Sequence, residues 1–171
     1  MKTKLIDVLI KLVRQPFVLI LFLSLPSYTY MYKYSSAPKA QFAHDVSIYY
    51  SYLPAFFVDD DITFENNREK YFLEIIPETG KAIPKTTMGM AYFYLPSFLV
   101  AHTVAYVEDR YEMDGYSKPY RQINHAFSYL LMLLSTWILF KILNILFSKT
   151  ASYISTICIF FGTNYFFYVM S

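Results

Sequence analysis

Gln122–Phe140 reads QINHAFSYLLMLLSTWILF, nineteen residues without one formal charge. A helix of about 20 mostly apolar residues crosses the hydrocarbon core of a bilayer. The aliphatic block Leu130–Leu134 and the segment Trp137–Phe140 sit inside it, and Lys141 follows, where its amine can snorkel to the headgroups. Working outward, three more runs lack formal charge: Gln15–Tyr32, Thr86–Val107 and Thr150–Ser171, of 18, 22 and 22 residues. A charge at the centre of a membrane helix costs roughly 2.5–3.5 kcal/mol on insertion scales. Four such runs in one short chain therefore read as an all-α integral membrane protein with about four transmembrane helices.

Composition agrees. Of 171 residues, 56% are hydrophobic and only 16% charged, against about a quarter charged in soluble domains. The net charge of +2 is too small for a nucleic-acid binder. A single cysteine, Cys158, excludes an intramolecular disulfide, a thiolate zinc cluster and a redox pair. With 4 glycines there is no glycine-rich phosphate loop, and no GxSxG or HExxH pattern occurs.

Flanking charge sets the expected orientation. Lys2, Lys4, Lys11 and Arg14 outweigh Asp7 in Met1–Arg14, and positive flanks stay cytoplasmic. The expected organisation is a cytoplasmic N-terminus over 1–14, spans over 15–34, 86–107, 123–147 and 150–171, an extracytoplasmic loop over 35–85 and a cytoplasmic loop over 108–122. One feature conflicts with it: Lys141 and Lys149 then lie outside. If 86–107 does not cross, the later topology flips and the conflict disappears. Ser35-Ser36-Ala37 would suit signal cleavage, but the tyrosine-rich stretch before it is a poor cleavage region.

The long outer loop carries the candidate chemistry. Val46–Val58 (VSIYYSYLPAFFV) is apolar and too short to span, with Pro54 interrupting a simple helix. It fits a helix lying on the outer membrane surface. Asn66–Ile76 (NNREKYFLEII) is expected to form a second amphipathic helix, and Pro77–Pro84 a turn. Asp45, at the start of the first surface helix, would be raised in pKa by desolvation and so suit a general base. Lys85 stands at the head of the second span, where it could hold a lipid phosphate as a point charge. The plain readings are an exposed loop acid and a span-flanking anchor. Asp59, Asp60 and Asp61 offer a metal or substrate loop for a divalent cation, or simply a solvated helix stop. His44, His102 and His125 lack metal-ligand spacing, Asn124 and Asn164 are expected to bond neighbouring helices, and the tyrosines are read mainly as interface anchors.

The order of these segments resembles bacterial membrane glycosyltransferases of the GT-C superfamily, the type of the protein mannosyltransferases and aminoarabinose transferases. The segments are HDVSIYYSYLPAFFVDDD at His44–Asp61, KTTMGMAYFYLPSFLVAH at Lys85–His102, DGYSKPY at Asp114–Tyr120 and FGTNYFFY at Phe161–Tyr168. The resemblance covers nearly the whole chain, and its weight lies in the order of the segments. It implies sugar transfer from a polyprenyl-phosphate-linked donor to an acceptor at the outer face of the bacterial cytoplasmic membrane, through an oxocarbenium-like state. Asp45 would be the base on the acceptor hydroxyl and Lys85 the ligand of the leaving lipid phosphate. No cofactor is implied beyond a divalent cation, and the partners are membrane lipid, donor and acceptor, not nucleic acid. The sequence departs from the pattern: Val46 stands where a second acid is frequent, and Thr86-Thr87 where the aminoarabinose transferases carry two prolines. Members of the superfamily are also longer, so the chain reads as an N-terminal part or a truncated product. The alternative is a non-catalytic small multi-span membrane protein.

Overall fold

The computed structural model describes residues 16–34, 44–65, 71 and 73–166, with only the backbone described at 31, 32, 34, 44 and 45. The elements are α1 (Pro16–Tyr34), α2 (His44–Tyr50), α3 (Tyr52–Phe57), β1 (Leu73–Ile75), β2 (Ala82–Pro84), α4 (Gly89–Val107), α5 (Lys118–Leu146) and α6 (Lys149–Gly162). The chain is mostly helical. Among the described residues, α4 and α5 are long and apolar enough to cross a membrane, while the apolar part of α1, Pro16–Tyr30, is shorter.

Residues 1–33 and 127–171 belong to one compact unit and residues 34–126 to a second. In the first, Ile20 of α1, Tyr129 and Met132 of α5 and Phe160 of α6 form one buried cluster. Ser24 and Tyr129 share a hydrogen bond of 2.9 Å between their hydroxyls, and the Tyr28 and Tyr129 rings stand 4.2 Å apart. Ser148 caps α6, its hydroxyl accepting from the Ala151 amide at 3.4 Å. The span expected over 150–171 is interrupted: α6 stops at Gly162 and Thr163 is extended, with φ −125° and ψ 175°. The Thr163 hydroxyl donates back to the Ile159 carbonyl at 2.6 Å and accepts from the Tyr165 amide at 3.2 Å, so it serves the chain on both sides of the helix end. Residues 167–171 lie outside the described part.

In the second unit, α2 and α3 are one helical path interrupted by Pro54. A continuous helix would need an amide at position 54 to donate to the Tyr50 carbonyl, and proline has none. The path still holds its direction: Ser51 keeps helical angles, its amide reaches the Ser47 carbonyl at 2.9 Å, and the Ala55 amide reaches Ser51 at 3.0 Å. Tyr50 and Leu53 pack with Ala91, Phe98, Ala101 and Ala105 of α4 and with Tyr120 at the start of α5. A neighbouring cluster joins Ala55, Phe64 and Tyr71.

The all-α expectation fails between positions 73 and 84. Part of the stretch expected to be helical over 66–76 is strand β1, paired antiparallel with β2 in the register Leu73↔Pro84, Glu74↔Ile83 and Ile75↔Ala82; residues 66–70 and 72 lie outside the described part. The physical reason is the turn. Pro77 cannot continue a helix, and the Ile76 carbonyl accepts from the Gly80 amide at 2.8 Å while the Ile76 amide donates to Lys81 at 2.9 Å. Gly80, at φ +65°, supplies the left-handed residue that closes the loop. Leu73 and the β-branched Ile75 then fit a pleated strand.

Candidate functional site

The unit of residues 34–126 brings together the two segments that carry the candidate chemistry. Asp45 stands in the first turn of α2, and α2 and α3 pack on α4; its side chain, like that of His44, lies outside the described part. Lys85 follows β2 directly. The next residue, Thr86, offers its carbonyl to the Tyr52 hydroxyl of α3 at 2.7 Å. The hydroxyl of Thr86 is buried without a hydrogen-bond partner. Lys85 itself is well exposed, and its Nζ stands 3.5 Å from Oε1 of Glu74, the residue paired with Ile83 across the hairpin. A surface pair of this kind contributes about 0–1 kcal/mol, so the amine exchanges partners readily.

Asp59 and Asp61 bond to different partners. They form the turn that ends α3: the Val58 and Asp59 amides both reach the Pro54 carbonyl, and the Asp61 amide reaches Ala55, each at 2.8–2.9 Å. Asp60 occupies the left-handed region at φ +50°, a conformation that aspartate tolerates better than most residues. The carboxylate of Asp59 accepts from the Tyr71 hydroxyl. That of Asp61, buried, accepts from the Thr63 amide at 3.2 Å and the Thr63 hydroxyl at 2.6 Å. Among the described residues no three His, Cys, Asp or Glu side chains converge as a metal centre. The triplet lies in the turn that ends α3, with Asp61 bonded to Thr63 and Asp59 to Tyr71.

Tyrosine does more in this unit than anchor span ends. The Tyr50 ring is fully buried, and its hydroxyl donates to the Gly115 carbonyl at 2.8 Å. Tyr116 lies edge-on to it at 5.7 Å. Burial pushes the Tyr50 hydroxyl far above its ordinary pKa, with Tyr116, Tyr120 and Asp114 adding to the shift. Tyr71 is raised by burial and by its bond to Asp59, and Tyr116 by burial and the nearby Asp59 and Asp114 carboxylates. Tyr50 and Tyr71 donate their protons to Gly115 and Asp59. The sequence does not reveal this pattern, because tyrosines spaced through an apolar segment look alike whether they face lipid or core. Asn124 bonds a neighbouring helix as expected: Ser97 donates to its Oδ1 at 3.0 Å. His102 Nδ1 meets the Tyr120 hydroxyl at 2.6 Å and stacks on Phe98.

The segment before α5 is set by Asp114, whose Oδ1 accepts from the Tyr116 and Ser117 amides at 2.8 and 2.6 Å. Gly115 turns there at φ +80°, and a Cβ on it would stand 2.6 Å from Pro54 Cβ and 3.6 Å from the Phe98 ring. The DGYSKPY segment is thus pressed into the junction of α3 and α4. Pro119, near the start of α5, sits where a missing amide costs least.

No family model matches the chain, and no curated protein or solved structure matches it either.

Proposed function

We propose that the chain is an integral protein of the bacterial cytoplasmic membrane and the N-terminal part of a glycosyltransferase of the GT-C type, using a polyprenyl-phosphate-linked sugar donor at the outer face. In this reading Asp45 takes the proton from the acceptor hydroxyl and Lys85 holds the lipid phosphate as it leaves. The supporting observation is the bond between Tyr52 and the Thr86 carbonyl, which ties the segment bearing Asp45 to the segment bearing Lys85. A lysine paired with an exposed carboxylate, beside a threonine hydroxyl that has no hydrogen-bond partner among the described residues, suits a phosphate oxygen as an incoming partner.

The test is transfer and lipid binding in proteoliposomes with synthetic polyprenyl-phosphate sugars. Asp45→Asn should lower transfer by about 10²-fold or more, the scale of a general base, with membrane insertion unchanged. Lys85→Ala should weaken polyprenyl-phosphate binding by about tenfold, as expected for loss of one charge-assisted contact. Absence of transfer from every such donor, together with equal phosphate-lipid binding by wild type and Lys85→Ala, would remove this reading. The second reading, a non-catalytic membrane subunit, is favoured by the Lys85–Glu74 pair and by the structural use of Asp59 and Asp61, and that outcome would select it.

A further inference from the structure

We propose that α4 lies along the membrane–water interface with one face in lipid and does not cross the bilayer, so that the segments before and after it stand on the same side. The inference rests on the membrane placement proposed above and is independent of glycosyl transfer.

The first observation is what touches the middle of α4. Phe98 is the tenth of its nineteen residues, and at 1.5 Å per residue the helix is about 28 Å long, close to the roughly 30 Å of the hydrocarbon core. Upright, Phe98 would stand near the bilayer midplane. Yet Gly115, from the segment after α4, packs against Phe98 and against Pro54, from the segment before it. Tyr50 closes the contact with its bond to the Gly115 carbonyl. Two segments in van der Waals contact cannot belong to opposite faces of the bilayer. An upright α4 would also draw Asp114 towards the midplane, at roughly 2.5–3.5 kcal/mol per charge.

The second observation is where α5 meets α4. Ser97 and His102 bond Asn124 and Tyr120, at the threshold of the uncharged run Gln122–Phe140, whose middle is Leu131. At 1.5 Å per residue, Asn124 is about 10 Å from that middle. The middle of α4 is thus bonded to the first residues of α5, Tyr120 and Asn124, and Tyr120 precedes the uncharged run.

The third observation is the free face. Ala91, Phe98 and Ala105 are buried, while Tyr92, Phe93, Leu99, Val100, Tyr106 and Val107 are exposed. Both sets recur every seven residues, two helical turns, so each forms a stripe. One stripe is covered by α2, α3 and the start of α5. The other is apolar and calls for an apolar solvent. The charge balance then agrees: with α4 in plane, α5 returns the chain to the cytoplasm and Lys141 and Lys149 join Lys2, Lys4, Lys11 and Arg14 there.

Glu78→Cys and Glu112→Cys, both exposed positions, are made separately in a Cys158→Ala background and treated with a membrane-impermeant maleimide. Labelling of both from the same side, to the same extent, is expected. Labelling from opposite sides overturns the proposal. Depth is read independently with Val100→Trp in a Trp137→Phe background, Trp137 being the sole tryptophan. Lipids brominated near the headgroup should quench it more strongly than lipids brominated at the chain ends. The reverse order means that α4 crosses, and absence of quenching by either lipid means that a protein covers the face; each overturns the inference. Release of the wild-type protein from membranes by alkaline carbonate would instead fail the membrane reading, and the inference with it. A protein that stays in the membrane but labels from opposite sides fails the inference alone.

Discussion

A methyl group at position 115 would meet Pro54 at 2.6 Å, in a backbone conformation that L-residues rarely adopt. Gly115→Ala should therefore cost about 2–5 kcal/mol, combining the left-handed penalty of roughly 1–2 with overpacking of roughly 1–3. Gly80→Ala shares the positive φ but meets nothing within 4 Å, so it should cost only about 1–2 kcal/mol. Denaturant midpoints of the two variants in one detergent check the difference, and equal losses would place the strain in the backbone alone. The buried tyrosines bring a pH dependence. Tyr50, Tyr71 and Tyr116 hold their protons more tightly folded than unfolded. Their contribution is fully present below the unfolded tyrosine value of about 10 and is lost as pH rises above it. The thermal midpoint should fall above about pH 10, and Tyr71→Phe should make the fall shallower; an unchanged slope would exclude Tyr71 as a source. At this scale the sequence was half legible. Asp59-Asp60-Asp61 could be read as a helix stop because a stop depends on neighbouring backbone. The bond from Tyr50 to Gly115 spans 65 positions, and no local pattern carries it.

The hairpin of β1 and β2 is the element that sequence periodicity misjudged. Apolar residues in Asn66–Ile76 fit a helical face, but the turn chemistry of Pro77–Gly80 decided the outcome. A turn that satisfies its own amides fixes the strands on either side, whatever face a helix would have offered. That element also sets the partner of Lys85. Glu74→Gln should cost less than about 1 kcal/mol of stability, as for other exposed ion pairs. If Lys85 holds a lipid phosphate, the same change should tighten polyprenyl-phosphate binding, because the competing carboxylate is gone. Equilibrium binding in nanodiscs reads this, and weaker binding in Glu74→Gln would argue that the hairpin pair helps to build the site. The interruption between α2 and α3, in contrast, was legible, because a proline removes one identifiable hydrogen bond.

Two cores divide the molecule, one around Phe98 and Tyr50 and one around Ile20 and Phe160. Phe98→Ala should cost about 3–5 kcal/mol, the range for truncating a buried aromatic. Hydrogen exchange should then lose protection in α2, α3 and α4, while amides around Met132 and Phe160 keep theirs; uniform loss would mean that the cores unfold as one. The helices α1, α4 and α5 were legible in the sequence, whereas the last uncharged run holds a helix that stops at Gly162. Uncharged runs of 18 to 22 residues favour helix wherever the backbone must satisfy its own hydrogen bonds, a property that can be read residue by residue along the chain. Only the tertiary structure decided which of those runs has its middle covered by its own flanking segments. That depends on Gly115 meeting Pro54 and Asn124 meeting Ser97, contacts between distant positions whose side chains fit in space and leave no periodic trace in the sequence.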